Sequence, residues 1–202
     1  MILSARGVAA LGWAVFPVES RGKKPLIKNW PNLATTVQAT VKDWWTRWPD
    51  ANIGVVTGAK SGILVLDIDG DKGWVSLGEL ERMHGWALPP TLVVSTGRGA
   101  HLYFKHPGGH IGNGANIHGL AGLDIRGDGG YVVGPGSLHS SGARYEIVVR
   151  PACPLRVLRE LVEALPTAPD VLCVGRKDAN MTTERTDKPT VGPIVDALWG
   201  ES

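Results

Sequence analysis

The chain has 202 residues, 43% of them hydrophobic and 20% charged, and a net charge of +2. That is the make-up of a globular protein with one good-sized core, built in one lobe or two. No apolar run approaches the length of a membrane span, and the charges balance too evenly for a protein that coats nucleic acid by bulk electrostatics.

The opening residues, MILSARGVAALGWAVF, have too little apolar length before Arg6 and no cleavage site for a signal peptide. They predict a short helix from Ser4 and then a strand from Trp13 to Val18. RGKKPLIK, at 21–28, is a local basic cluster around Pro25, either a solvated loop or a point of contact with nucleic acid. TVQATVKDWWTRWP predicts a helix capped by Thr36 and stopped by Pro49, with Trp44 and Trp48 on one face. The chain holds eight tryptophans, many for its length; core packing is their default use and base stacking the alternative.

NIGVVTG and GILVLDID are β-rich runs about a glycine turn, the pattern of a hairpin. GWVSLGELERMHG predicts a helix ended by Gly85, and PTLVVSTG with AHLYFKHP a second pair of strands about a glycine turn. After a Gly/Asn/His-rich loop at 108–119, GLDIRGDGGYVVGPGS and ARYEIVVRP both read as strands. PLRVLRELVEALP is amphipathic, with Leu155, Leu158, Leu161, Val162 and Leu165 on one side. From Pro166 the periodicity ends. A folded domain over 1–165 is therefore expected to be followed by a loose polar tail over 166–202, with a short terminal helix near Ile194–Trp199. Hairpins and helices in this order predict an α+β fold with a mixed or antiparallel sheet. The two cysteines, Cys153 and Cys173, lie outside any CxxC spacing, so the expectation is a reducing cytoplasm without disulfides or zinc.

The chemistry concentrates on three stretches. In GILVLDIDGDKG, Asp67 and Asp69 stand two apart on a strand, so both carboxylates project to one side. Two neighbouring carboxylates need a positive partner, and a hard divalent cation suits them; an ordinary turn feeding the next helix is the bland alternative. In GLDIRGDGGYVV, Asp124 would complete a three-acid set able to hold two Mg²⁺ or Mn²⁺ ions. Arg126, on the same side, would grip a phosphate or merely pair with Asp124. In STGRGAHLYF, the tight turn of Ser95, Thr96, Gly97, Arg98 and Gly99 offers backbone N–H groups to phosphate oxygens, and His101 opens the next strand. Ser137 and His139 lie in another glycine-bounded loop, as turn residues or as ligand contacts.

Taken in order, GKKPLIKNW, WWTRWPDANIGVVTG, GILVLDIDGDKG, LPPTLVVSTGRGAHLYF and GLDIRGDGGYVVGPGSLHSSGARYE resemble the primase–polymerase domain of bifunctional replication proteins of plasmids, phages and mobile elements. That family belongs to the archaeo-eukaryotic primase superfamily, and the resemblance runs from about Gly22 to Leu165. It implies a catalytic module similar to an RNA-recognition-motif sheet, joined to a smaller N-terminal α/β unit. It implies nucleotidyl transfer on a primed single-stranded DNA template with dNTPs or NTPs. Asp67, Asp69 and Asp124 would be the ligands of Mg²⁺ or Mn²⁺, and His101 the contact to the incoming phosphates. Arg126, Ser137 and His139 fall in the stretches that contact nucleotide. A helicase, in the same parent protein or in trans, is the implied partner. The family's helicase portion, its helical bundle and the zinc stem of some relatives have no counterpart in this sequence, as expected for a fragment or a stand-alone module. A phosphatase of the haloacid dehalogenase kind is the enzymatic rival, since LVLDIDGD resembles its opening motif, although Asp71 replaces the expected threonine. A non-catalytic nucleic-acid-binding replication module is the other.

Overall fold

The computed structural model describes residues 4–148 and 155–176. Its frame is two antiparallel sheets. The small sheet has the order β1 (Val15–Val18), β2 (Asn52–Val56), β7 (Tyr131–Val133). The large sheet has the order β6 (Leu123–Arg126), β3 (Ile63–Ile68), β5 (Ala100–Lys105), β4 (Leu92–Ser95), β8 (Glu146–Val148). The α+β, antiparallel expectation is thus met.

The central strand β3 explains the layering. Its ILVL run is apolar at every position because both faces are covered. Ile63 and Val65 join Tyr103, Trp13, Val15, Ile53, Val55 and Val132 in the core between the two sheets. Leu64, Leu66 and Ile68 face the other way, onto Leu77 and Leu80 of α4 (Gly70–His84). That helix stops where expected: Gly85 takes the left-handed conformation at φ 69° that closes a helix and that glycine adopts without strain.

The small sheet carries α1 (Ala5–Ala9), α2 (Trp30–Leu33) and α3 (Gln38–Arg47). Ser4 caps α1 by accepting the Gly7 N–H. On the outer side of this sheet the Phe16 ring lies over Gly54, where any Cβ would collide with it, and stacks on Trp30. Thr36 does not cap α3. Thr35 is still bridged to Val15, and its hydroxyl takes the Val37 N–H at 3.1 Å, so the helix starts only at Gln38.

The β2–β3 hairpin does not form. β1 and β7 occupy both edges of β2, while β5 and β6 occupy both edges of β3, and the turn between them keeps a single bridge, Gly58 to Ile63. GLDIRGDGGYVV is likewise two strands in two sheets, β6 and β7. The smaller unit is accordingly not purely N-terminal, because its third strand arrives late in the chain. The PTLVVSTG and AHLYFKHP hairpin is present as β4 and β5.

In α5 (Leu155–Glu163), Val162 packs against the inter-sheet core with Leu165 beyond it, whereas Leu161 is 44% exposed; the side chains of Leu155 and Leu158 lie outside the described residues. Residues 166–176 are not a loose tail. Lys105 donates to the Pro166 carbonyl, Ala168 donates back to Lys105, and Ala168, Leu172 and Cys173 are buried against the α4 face. The Ile194–Trp199 helix and Cys153 fall outside the described residues. No described helix is long and apolar enough to cross a membrane.

Candidate active site

The register of the large sheet assembles the site. Asp67 on β3 lies directly opposite His101 on β5 and Asp124 on β6. Directly opposed residues of an antiparallel ladder project from the same face. The three side chains therefore form one row, on the face turned toward the small sheet, at the end where the apolar core gives out.

A cleft of about 210 Å³ opens there. Asp67, His101 and Arg126 line it from the large sheet, as does Tyr145, which lies just before β8. Tyr131, Val132 and Val133 line it from β7, and Lys23 from the loop after β1. Arg126 ties the acids together: one guanidinium nitrogen, Nη2, stands 2.8 Å from Asp124 Oδ2 and 3.6 Å from Asp67 Oδ2. The other Asp124 oxygen accepts the Asn116 N–H at 2.9 Å. Asn116 is left-handed, at φ 48°, and its side chain in turn accepts the Gly122 N–H. This braces the loop before β6 against the first turn of α4, where Gly122 and Gly73 pack too closely to admit a Cβ.

His101 Nε2 is 3.4 Å from Asp67 Oδ1, while its Nδ1 is buried without a protein partner. Burial holds the imidazole below its ordinary pKa; the Asp67 charge opposes this, and Lys23 and Arg126 reinforce it. The ring is therefore neutral near pH 7. Tyr145 is pushed up to about 12 by burial first and by the Asp67 and Asp69 carboxylates next, which puts both acids within electrostatic reach of one ring. Tyr103, beneath His101, is likewise raised by burial.

Asp69 occupies the N-cap position of α4, yet its side chain makes no capping bond. It is largely exposed, 3.8 Å from Arg98. The turn at 95–99 is mostly self-satisfied. Thr96 accepts the N–H groups of Arg98 and Gly99 on its hydroxyl and donates its own N–H to the Gly99 carbonyl, and Ser95 bonds the Glu146 carbonyl. Among the described residues, the Gly97 N–H is the turn's free donor. A Cβ at Gly99 would strike the Ile68 carbonyl and one at Gly97 the His139 ring, so both glycines permit close packing.

Ser137 is not brought to the cleft. It is buried, and its hydroxyl accepts the Ile53 N–H at 2.8 Å, splicing the following loop to β2. His139 sits at the rim, bonded to Ser141 and edge-on to Tyr145. Lys23, Tyr131 and Tyr145 are cleft residues that sequence reasoning did not single out. Lys23 lay within the noted basic cluster, but the tyrosines carried no signal, since Tyr131 on β7 and Tyr145 just before β8 reach the cleft from different sheets.

Among the described residues, no group of three or more His, Cys, Asp or Glu side chains closes around a common point as a metal cage. The donor chemistry nonetheless suits a hard divalent cation. Asp67 and Asp69 offer only oxygen, and Asp67 already shares with Asp124 a positive group, the Arg126 guanidinium.

No curated protein matches the chain. The family model for the N-terminal domain of bifunctional DNA primase/polymerases matches residues 5–170. It favours nucleotidyl transfer over the phosphatase reading of the Asp67–Asp69 pair. With that match spanning most of its length, the chain belongs to the Prim-Pol family, the primase/polymerase domains of DNA replication.

Proposed function

We propose that this chain carries out template-directed nucleotidyl transfer, extending or starting DNA chains during replication of a phage, plasmid or other mobile element. The observation that carries the reading is the in-register row Asp124–Asp67–His101 on one sheet face, of which Asp67 and His101 line the cleft together with Arg126, the partner of Asp124. Asp67 and Asp69, with Asp124 alongside, would hold Mg²⁺ or Mn²⁺. Bound there, divalent cations supply Lewis-acid stabilisation to the attacking and leaving oxygens of an in-line displacement at phosphorus.

The chain's own groups do the rest. His101, kept neutral by burial, orients a phosphate oxygen by hydrogen bonding rather than by charge. Arg126 neutralises negative charge that builds up beside the acids and, when no substrate is bound, keeps Asp67 and Asp124 from repelling each other. Tyr145 and Tyr131 wall the cleft on two sides. Single-stranded template and primer, with dNTPs or NTPs, are the substrates, and a helicase is the expected functional partner.

The test is extension of a labelled primer on a DNA template with all four dNTPs and either metal ion, for wild type and Asp67→Ala side by side. Metal-dependent extension that falls on the order of 10³-fold in the mutant, the scale of a key electrostatic group, is expected. Binding of DNA that is indifferent to metal, with no incorporation by wild type, would instead make this a non-catalytic replication module.

A further inference from the structure

The cleft draws its residues from both sheets, yet Asp67, His101 and Arg126 all come from the large one. The small-sheet unit contributes one charged side chain, Lys23. Its backbone is firmly held. Tyr131, itself a cleft residue, donates its hydroxyl to the Lys23 carbonyl at 2.6 Å. Asn52 donates to the Gly22 carbonyl at 3.1 Å, and the Glu19 N–H donates to the Lys24 carbonyl at 2.8 Å. Val18 and Pro25 close the base of the loop. Lys23 and Lys24 then go separate ways: Lys24 pairs outward with Glu19 at 3.9 Å, whereas Lys23 lines the cleft and forms no ion pair among the described residues.

This sets Lys23 apart from the other cation of the cleft. Arg126 already serves two carboxylates. His101 is buried, with Nε2 facing Asp67 and Nδ1 lacking a partner. Among the cleft-lining cations, Lys23 is therefore the one that an entering anionic ligand finds uncommitted.

We propose that Lys23 binds the triphosphate of the incoming nucleotide, so that the small sheet supplies the phosphate clamp while the large sheet supplies the acids. The assignment rests on the nucleotidyl-transfer reading of the cleft and extends it to a residue on the opposite wall. A nucleotide phosphate is favoured over a template phosphate because Lys23 lines the same cleft as Asp67 and His101, where the reacting phosphates would lie. An ammonium suits this role as a point charge with three donors on a flexible stem.

The test compares wild type, Lys23→Ala and Lys23→Arg, with folding checked by thermal melting. One arm measures single-nucleotide incorporation at saturating primer–template; the other measures equilibrium binding of dATP by calorimetry, without DNA. Loss of one charge-assisted contact predicts, in Lys23→Ala, a KM and a nucleotide Kd higher on the order of 10- to 100-fold, with kcat moving much less and partial rescue by arginine. Inorganic tripolyphosphate should also weaken as an inhibitor of Lys23→Ala by a similar factor. Unchanged nucleotide Kd and KM would overturn the assignment. So would an effect confined to primer–template affinity with a shallower salt dependence, which would place Lys23 on the DNA backbone. If wild type binds dATP but incorporates nothing, the polymerase reading fails while the binding arm still decides the role of Lys23.

Discussion

Asp67 and Asp128 both have histidine neighbours, and the protein treats them in opposite ways. Asp128 is closed off. One oxygen accepts the Ala59 N–H at 2.8 Å, the other accepts Ile111 N–H at 2.9 Å, and the imidazoles of His106 and His110 stand 3.3 and 3.4 Å away. Three segments are thereby pinned: the turn after β2, the loop after β5 and the crossing from β6 to β7. Asp67, by contrast, is left open. Asp67 accepts no backbone N–H among the described residues, and its nearest partners are a neutral imidazole at 3.4 Å and a shared guanidinium at 3.6 Å. Histidine and aspartate occur in both places, so residue type does not separate structure from function. The degree to which the fold itself saturates the carboxylate oxygens does.

The sharpest way to break this contrast is to remove one acid of each kind. Asp67→Ala should lose activity on the order of 10³-fold while its stability stays within about 1 kcal/mol of wild type, measured by urea unfolding, because few bonds are lost with it. Asp128→Asn should do the reverse, costing about 2–3 kcal/mol at neutral pH with the specific activity of the folded protein retained. The second result carries a pH signature. Burial pushes the Asp128 carboxyl up, but the N–H groups of Ala59 and Ile111 and the two histidines outweigh it and hold it below its ordinary 3.8. Its contribution is present above that value and is lost as pH falls through the lowered one, so the gap between wild type and Asp128→Asn should close in acid. A gap that is constant with pH would mean that the charge of Asp128 is irrelevant.

His101 gives a weaker test from the open side. Its folded pKa lies below the ordinary 6.5, so the unfolded chain takes up the proton first and wild type loses stability as pH falls below that point. His101→Gln should flatten this part of the stability profile; an unchanged slope would assign it to other groups. The smallest effect is expected at Asn116, whose left-handed backbone is tolerated by asparagine and glycine better than by alanine. Asn116→Ala should cost about 1 kcal/mol and lower turnover about 10-fold by loosening Asp124, the scale of outer-shell support for a site. Asn116→Gly should recover most of the stability and less of the turnover.

Much of this was legible in the chain. GILVLDID read as a strand from its apolar, β-branched run, and Asp67, Asp69, Asp124 and His101 stood out because acids and a histidine at strand ends are chemically conspicuous. What could not be read was which strands pair. NIGVVTG and GILVLDID look like a hairpin because they are adjacent and apolar, and only the competition for strand edges sends them to different sheets. That same split brings Lys23 and Tyr131 across from the small sheet to face Asp67, a meeting that local pattern cannot encode. Ser137 takes the structural one of its two readings. A polar residue in a glycine-rich loop suggests ligand contact, yet a buried Ile53 N–H at the start of β2 had to be satisfied, and Ser137 does this.

The pairing of Asp67 with both His101 and Asp124 also bears on how the chain avoids misfolding. β3 is so uniformly apolar that its hydrophobic pattern barely distinguishes one register from the next. A slip of one residue would drive Asp67 under α4, among Leu77 and Leu80, and bring Leu66 and Ile68 into the cleft. A lone carboxylate in that setting costs several kcal/mol, far more than any apolar side chain gains by the exchange. The acids thus act as a proofreading mark on an otherwise ambiguous strand: a sheet that assembles out of step is rejected by the same atoms proposed to handle the nucleotide.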